Sequence, residues 1–481
     1  MKTIIRCQNC KAELHSSQRS LTCPQCSANN AEFYTFKVNN EKFSINSKEN
    51  GIWRYKEALP EFTSKISLGE GNTSLRKAQN LFHDELELLL KIEGENPTGS
   101  FMDRVSPLMI SDALDRNMKA VVCASDGNLG ASISAYCASA GLKSICVIPK
   151  STSPEKKIQM DAYGAETIVF GETIDDSLEL AKKMADEKTY QATPEFNILT
   201  IEGAKTISFE IISQLIQENK ELPWIDYIIV PLGSGRLLYS LWKGFKQSKE
   251  IGYLDKPLPK IIGVQLRGYD SITNAIKLGE DKPKKSVKEI HDKSLADAIL
   301  ARNSIFSVKA IESIRESNGT SISISEMEMI AAGKKLGQAE GVFAELSSAT
   351  VIAAIEKLVN EDYFEKGAVV LALITASGLK TSQAYEKSSG RKKKVESFRN
   401  MGTKVEILRI IDSSESDFGY GIWKSLGQSL SLQAVYQHLK ELLSSRHIVE
   451  IETNDRQKKY TTTEKGKRLI QKMKELEELL P

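Results

Sequence analysis

The chain has 481 residues, of which 41% are apolar and 27% charged, and its formal net charge is +2. This length predicts two to four domains, and the composition is that of an ordinary globular protein. Apolar runs fall short of the roughly 20 residues that a membrane-spanning helix needs, and the N-terminus lacks the apolar core of a signal peptide. We therefore expect a soluble cytoplasmic protein and exclude a membrane protein.

Two cysteine pairs open the chain, Cys7 with Cys10 and Cys23 with Cys26. Each CxxC knuckle turns the backbone so that both sulfurs point at one centre, and four thiolates complete a tetrahedral Zn²⁺ site. A module of about 30 residues needs metal binding to supply its folding energy. The alternatives are a disulfide pair or unpaired thiols. We predict a structural zinc ribbon over residues 1–32, followed by a connecting segment over 33–59.

Residues 60–385 alternate short apolar runs with amphipathic helical segments, such as "SICVIPK" and "YIIVPLGSGRLLYSLWKGF". Strands that are apolar throughout and separated by helices predict an α/β fold with a parallel sheet covered on both faces. Ligands of such sheets bind at the carboxyl ends of the strands. Polar, glycine-rich turns fall at those ends, over residues 96–104, 125–130, 233–236 and 375–380.

Six segments carry a family resemblance in one chain order. They are "SLGEGNTSL" (67–75), "ENPTGSFMDR" (95–104), "ASDGNLGASISAYCASAG" (124–141), "EGAKTISFEI" (202–211), "PLGSGRLLYSLWKGF" (231–245) and "AEGVFAELSSATVIAAI" (339–355). Together they resemble threonine synthase and its relatives among the fold-type II (tryptophan synthase beta-like) pyridoxal-phosphate enzymes. The resemblance implies a two-lobed fold, with a smaller lobe over about 103–195, and pyridoxal phosphate as cofactor.

The resemblance also implies a set of ligand-binding residues. Asn128 would hydrogen-bond the phenolic oxygen of the cofactor, and Thr375 would meet its pyridine nitrogen. Ser125 and Asn197 fall at substrate-binding positions. A turn that leads from a strand into a helix can cradle the phosphate with bare N–H groups; its residues are Gly233, Ser234, Gly235 and Arg236, the last of which either clamps an anion or fills the space.

Position 102 departs from the family pattern. The resemblance implies a Schiff-base lysine there, whereas this chain has Met102, which carries no amine and no transferable proton. Two further family residues, an arginine and a histidine, are replaced by Thr200 and Ser377, and Asp126 stands where a serine or threonine is usual. These changes predict that no catalytic residue is assured, with Lys91 as a possible substitute amine.

The C-terminal fifth is basic, with 19 Lys and Arg against 14 Asp and Glu over residues 386–481. We predict a basic linker over 386–400 and a winged helix-turn-helix over 401–481, because "YTTTEKG" (460–466) resembles the end of PadR-like regulators. The predicted DNA contacts are Gln433, Gln437 and Lys440 on base edges, with Arg456, Lys458 and Lys459 on phosphates. Leucines at 469, 476, 479 and 480 indicate a homodimer contact on the last helix.

Three functions fit these features. In the first, a catalytically silent pocket for pyridoxal phosphate or an amino acid, with any cofactor bound non-covalently, makes the chain a ligand-sensing regulator of double-stranded DNA. In the alternative, the chain is an active pyridoxal-phosphate lyase of the threonine synthase type, converting O-phosphohomoserine to threonine, with an appended winged helix. In the third, the chain is a non-catalytic scaffold that docks partners through its zinc ribbon.

Overall fold

A computed structural model describes residues 2–15, 17–29, 31–36, 43–46, 48–218, 221–284, 294–295, 297–300, 304–388, 391–414, 417–427, 430–451 and 458–478. The chain divides into two compact units, residues 1–385 and 386–481. No helix within the described ranges is long and apolar enough to cross a membrane.

Within the described ranges, the first unit contains three sheets. Its strands are β1 (Lys2–Cys7), β2 (Glu13–Leu14), β3 (Ala31–Phe36), β4 (Leu75–Lys77), β5 (Glu87–Ile92), β6 (Ala120–Ala124), β7 (Lys143–Ile148), β8 (Glu166–Val169), β9 (Thr189–Gln191), β10 (Tyr227–Pro231), β11 (Lys260–Leu266), β12 (Thr320–Ile324) and β13 (Val369–Ile374). The N-terminal sheet has the antiparallel order β2-β1-β3.

Helices cover the two larger sheets. They are α1 (Ser106–Asp115), α2 (Asn128–Ala140), α3 (Pro154–Ala162), α4 (Ile174–Met184), α5 (Leu199–Ala204), α6 (Thr206–Ser213), α7 (Arg236–Glu250), α8 (Ser271–Lys277), α9 (Ser307–Glu316), α10 (Glu326–Glu340), α11 (Leu346–Asn360) and α12 (Ser382–Ser388). A short 3₁₀ turn, Phe101–Arg104, precedes α1.

The two larger sheets form separate lobes. The smaller lobe has the parallel order β8-β7-β6-β9, and the larger has the order β12-β11-β10-β13-β5-β4, in which only β4 is antiparallel to its neighbour. Every residue of β10 and β13 is buried, as expected for central parallel strands that are covered on both faces. The predicted α/β architecture with a parallel sheet is confirmed, and the antiparallel edge strand β4 was not predicted.

The second unit is a small helical domain with a hairpin. Its elements are α13 (Arg391–Asp412), α14 (Gly419–Ser425), α15 (Leu432–Ser444), β14 (Ile448–Ile451), β15 (Lys459–Thr462) and α16 (Glu464–Glu478). Residues 391–400, part of the predicted basic linker over 386–400, form the first turns of α13. The Ser431 hydroxyl accepts a hydrogen bond from the backbone N–H of Ala434, and this cap starts α15.

Candidate active site

Two loops meet at the carboxyl end of β13. The Phe101 N–H donates to the Thr375 carbonyl at 2.9 Å, and the Ser377 N–H donates to the Gly99 carbonyl at 2.9 Å. The turn that carries Met102 is therefore hydrogen-bonded directly to the segment that carries Thr375. This edge of the sheet is where a parallel α/β fold binds its ligands.

A buried ion cluster holds the Met102 turn from behind. Arg104 pairs with Glu93 (2.6 Å) and Glu210 (2.8 Å), and Glu210 also pairs with Lys91 (2.7 Å). Burial opposes ionisation of Glu210, but the charges of Arg104 and Lys91 outweigh it and lower the pKa of this carboxyl. Asn96 donates to both the carbonyl and the carboxylate of Glu93, so the cluster fixes the start of the loop.

This cluster corrects the prediction that Lys91 is a substitute amine. The Lys91 ammonium donates to the Thr73 carbonyl, to Glu210 and to Gln214, at 2.7–2.8 Å. These three acceptors match its three N–H donors, and the side chain is fully buried. Lys91 therefore neutralises Glu210 within the fold, and all three of its N–H donors are in use there.

Arg236 and Met102 face one another. A guanidinium nitrogen of Arg236 lies 3.8 Å from the Met102 sulfur, and another lies 3.5 Å from the Glu195 carboxylate. Among the described residues, nothing accepts a hydrogen bond from the Arg236 Nε, although the side chain is only 9% exposed. Burial lowers the pKa of Arg236, whereas the charges of Glu195 and Asp126 raise it. The site therefore contains a buried cation whose donors are only partly satisfied.

The glycine turn before α7 lies beside this cation. Gly235 has φ +90°, a conformation that strains other residues, and it directly precedes Arg236 at the start of the 15-residue helix. Free N–H groups and the positive end of the helix dipole favour an anion at such a position. A helix N-terminus with an arginine beside it is the kind of arrangement that binds a phosphate or carboxylate.

Asn128 begins α2 and belongs to a second charged group. Its side-chain amide donates to one oxygen of Glu345 at 2.8 Å, and the other Glu345 oxygen lies 2.8 Å from the Lys156 ammonium. The Asn128 carbonyl oxygen is buried and has no hydrogen-bond partner within the described ranges. Burial raises the pKa of Asp126, with Lys156 and Arg236 acting in the opposite direction. The charges on the two sides of the site thus influence one another.

The remaining predicted residues divide into two kinds. The Thr375 and Ser348 hydroxyl oxygens lie 2.7 Å apart. The Ser125 hydroxyl oxygen accepts the N–H groups of Gly127 and Gly130, which leaves the Ser125 hydroxyl proton able to donate. Asn197 is a correction: its amide donates to the Tyr190 hydroxyl and the Gln191 carbonyl, both at 2.9 Å, and its carbonyl oxygen accepts from the Leu199 N–H. These bonds brace the smaller lobe and use both polar atoms of the side chain.

Three charged residues of the site were missed in the sequence, namely Lys156, Glu345 and Glu195. Lys156 follows Glu155 and precedes Lys157, a charge run typical of an exposed helix. Glu345 was the detectable signal, because it interrupts the otherwise apolar and small-residue stretch "VFAELSSAT". Only the fold brings it to Asn128, since the two residues are 217 positions apart.

The N-terminal cysteines form one cluster. The sulfur atoms of Cys7, Cys10, Cys23 and Cys26 all lie within 4.8 Å of one another, with Cys7–Cys26 at 3.6 Å and Cys10–Cys23 at 3.8 Å. Zn–S bonds of about 2.3 Å in tetrahedral geometry place sulfurs about 3.8 Å apart. The knuckles share one backbone pattern, with Lys11 and Ser27 donating to the carbonyls of Cys7 and Cys23. The donor set and spacing fit a zinc ion.

The predicted DNA-contact residues of the second unit differ in their surroundings. Gln433, Gln437 and Lys440 are exposed on α15, whose opposite face is buried. On the hairpin, Lys458 pairs with Glu450 at 3.0 Å and Lys459 with Asp417 at 3.0 Å. Arg456 lies outside the described residues.

The predicted dimer contact is only partly described. Leu469 is partly buried and packs against the core of its own unit, and the homodimer contact stays a prediction. Leu476 lies in α16, and positions 479 and 480 lie outside the described residues.

Comparison with known proteins decides the family. The model of the pyridoxal-phosphate dependent enzymes matches residues 66–376. The chain belongs to this family. A threonine synthase of Methanocaldococcus jannaschii is 35% identical over 371 residues, which cover 76% of this chain and 89% of that protein. A threonine synthase of Methanosarcina acetivorans is 32% identical over 385 residues, covering 79% and 92%. The chain is threonine synthase-like, and these relatives favour the alternative enzyme interpretation over the regulator.

Solved structures agree on the fold. A fungal L-serine ammonia-lyase from Rhizomucor miehei superposes with a TM-score of 0.55 at 21% identity, covering 66% of this chain and 96% of that one. The processed form of threonine deaminase isoform 2 from Solanum lycopersicum gives 0.54 at 21% identity, covering 73% and 97%. At this identity the likeness concerns the fold alone, which is the fold-type II pyridoxal-phosphate fold.

The site fits most of this cofactor. Its phosphate matches the glycine turn and the under-satisfied Arg236, and its phenolic oxygen matches the Asn128 amide. The Thr375 hydroxyl, paired with Ser348, matches the pyridine nitrogen. The side chain at position 102 is the exception, because a thioether offers the aldehyde carbon no amine. The residues therefore fit a bound pyridoxal phosphate, but not its covalent attachment at Met102.

Proposed function

We propose that this chain binds pyridoxal phosphate between its two lobes and acts on an amino-acid substrate as a lyase of the threonine synthase type, with O-phosphohomoserine as the candidate substrate. The observation that carries the proposal is the buried, under-satisfied guanidinium of Arg236 beside the glycine turn of α7. A cation in that state is stabilised by an anionic ligand such as a phosphate. The threonine synthases that are 32–35% identical support the reaction type.

The residues of the chain have separate tasks in this proposal. Gly233, Ser234, Gly235 and Arg236 hold the phosphate. Asn128 and Thr375 would hold the phenolic oxygen and the pyridine nitrogen of the ring. When bound, pyridoxal phosphate supplies an electron sink for a substrate carbanion. Met102 is buried, which would keep water out of this part of the site. Glu345 would accept or return a proton at the Lys156 nitrogen.

The test is binding of pyridoxal phosphate to the purified full chain by equilibrium dialysis, followed by phosphate release from O-phosphohomoserine. Arg236→Gln should weaken cofactor binding by about tenfold or more, because a charged hydrogen bond contributes about 1.5–3 kcal/mol. Arg267→Gln is the matched control, since this arginine is 65% exposed and makes only a 4.0 Å surface pair. Equal binding by wild type and Arg236→Gln would refute the proposed phosphate site.

A second candidate is the ligand-sensing regulator, in which the pocket is silent and the second unit binds double-stranded DNA. It is favoured by Met102 and by the exposed row Gln433, Gln437 and Lys440. It predicts specific binding of a DNA fragment that weakens as salt rises and that changes when pocket ligand is added. Gln437→Ala should reduce this binding, with Lys472→Ala on α16 as a control outside that row. DNA binding that is the same for every sequence and every ligand concentration would exclude it.

We further propose that the four N-terminal cysteines hold a structural zinc ion, for which the sulfur spacing is the support. Metal analysis of the purified protein should give about one zinc per chain, because four thiolates complete one tetrahedral site. Cys10→Ser should lower the zinc content, whereas Cys137→Ser, at a buried position in α2, should leave it unchanged. A homodimer remains a prediction that size-exclusion chromatography with light scattering can test.

A further inference from the structure

Five lysines in the described part of the first unit have buried side chains, and four of them join segments of the fold, as Lys309 does by pairing with Glu32 of β3. Lys91 belongs to the ion cluster behind the Met102 turn, and Lys205 pairs with Glu202 and donates to the Ala58 carbonyl. Lys380 donates to the Thr98 carbonyl at 2.9 Å and to Gln159, which fastens the loop before Met102. Without these contacts, a buried charge or a buried carbonyl group would have no partner.

Lys156 is placed differently, because its side chain lies along the turn that begins α2. Gly127 in that turn has φ +132°, and a Cβ atom added there would come within 2.2 Å of the Lys156 Cδ. The alkyl chain of Lys156 thus occupies the space that the missing side chain of Gly127 leaves open. This packing brings the ammonium of a helix α3 residue to the first residue of α2, which is Asn128.

One carboxylate joins the Lys156 ammonium to the Asn128 amide. Glu345 lies 2.8 Å from the Lys156 nitrogen through one oxygen, and it accepts from the Asn128 amide at 2.8 Å through the other. In pyridoxal phosphate the phenolic oxygen, which Asn128 matches, is on the ring carbon next to the one that carries the aldehyde. The Lys156 nitrogen is thus one carboxylate away from the amide that matches this oxygen.

We propose that Lys156, and not the residue at position 102, supplies the amine that bonds to the aldehyde of the bound cofactor. The inference rests on the proposed function, because it requires pyridoxal phosphate to enter the site. Glu345 first takes one proton from the Lys156 ammonium. The neutral nitrogen then forms a C=N bond to the aldehyde carbon while the C=O bond breaks, and the oxygen leaves as water with the two remaining N–H protons. No oxidant or reductant takes part.

The experiment is borohydride reduction of the full chain with pyridoxal phosphate, followed by proteolysis and mass mapping of the labelled peptide. Label is expected on Lys156 and should disappear in Lys156→Arg, which keeps a cation opposite Glu345 but forms no stable C=N bond. Lys380→Arg, the matched control at the neighbouring buried amine, should keep the label. In the double variant Lys156→Arg with Met102→Lys, label should move to position 102, which shows that the pocket is intact.

The other outcomes separate the two proposals. If dialysis shows bound cofactor but the label lies on another residue, or none forms, the assignment of Lys156 is overturned and the proposed function survives with a different or absent amine. If Lys156→Arg keeps the label at full yield, the assignment is also overturned. If wild type and Met102→Lys bind no cofactor at all, the proposed function fails and the Lys156 assignment fails with it.

Discussion

Replacing Glu210 with glutamine tests the ion cluster that holds the Met102 turn. The Glu210 carboxylate accepts from both terminal nitrogens of Arg104, at 3.0 and 2.8 Å, and from Lys91 at 2.7 Å. It also accepts the backbone N–H groups of Asn72 and Thr73. Glutamine keeps the size of the side chain but removes its charge, and it turns an N–H₂ group toward donors.

We expect Glu210→Gln to lower the free energy of unfolding of the first unit by about 3 kcal/mol. Removal of one partner from a buried ion pair costs about 3–5 kcal/mol, because the other charge stays buried without compensation. The lower end applies here, since Glu93 still pairs with Arg104 and leaves Lys91 as the main uncompensated charge. The loss should also loosen the loop at Asn96, which Glu93 holds.

The assay is urea unfolding at neutral pH, followed by tryptophan fluorescence in a Trp423→Phe background. The remaining tryptophans, Trp53, Trp224 and Trp242, all belong to the first unit, so the signal reports that unit alone. Glu61→Gln is the matched control at an exposed carboxylate and should change stability by no more than about 0.5 kcal/mol. A cost below about 1 kcal/mol for Glu210→Gln would refute the reasoning from uncompensated charge.

The same pair of proteins should differ in pH dependence. Because the pKa of Glu210 is lowered in the folded protein, its ionised form stabilises the fold at every pH above the unfolded pKa of about 4.3. That contribution is lost as the pH falls below about 4 toward the folded pKa. The advantage of wild type over Glu210→Gln should therefore be constant near neutral pH and shrink in acid. An advantage that grows on acidification would contradict the sign of this shift.

Three further predictions concern other parts of the chain. Gly127→Ala should destabilise the first unit by about 1–3 kcal/mol, and by more than the control Gly164→Ala. Both glycines have positive φ, but of the two only Gly127 has a neighbouring side chain, since an added Cβ would lie 2.2 Å from the Lys156 Cδ. Equal losses of unfolding free energy in urea would argue against the Lys156 contact. Leu439→Ala should destabilise the second unit by about 2–5 kcal/mol, because it removes a buried side chain. The measurement is urea unfolding followed by the Trp423 signal, taken as the fluorescence difference from a matched Trp423→Phe chain, and the exposed control Lys440→Ala should change the unfolding free energy by no more than about 0.5 kcal/mol. A zinc chelator should remove the circular-dichroism signal of the N-terminal sheet, and a spectrum that stays the same would count against a structural metal.

Much of the fold could be predicted from the sequence, because strands and turns are indicated by patterns of neighbouring residues. The buried strands β10 and β13 read as continuous apolar runs, and the glycine turn before α7 is explained by the backbone conformation that Gly235 adopts. In contrast, the helical start of α13 was missed, because its basic stretch has no apolar periodicity to indicate a helix.

The sequence by itself determined the family resemblance, the alternation of strands and helices, and the identity of residue 102. Each of these depends only on residues that are close together along the chain. Only the tertiary structure decided which carboxylate each buried lysine meets. Lys91 lies near the end of β5, and its ammonium pairs with Glu210. Lys156 lies in a run of charged residues that is typical of an exposed helix, yet its ammonium pairs with Glu345, which also binds Asn128. The physical reason is that a buried charge must find its counter-charge, and that partner is set by packing between distant segments.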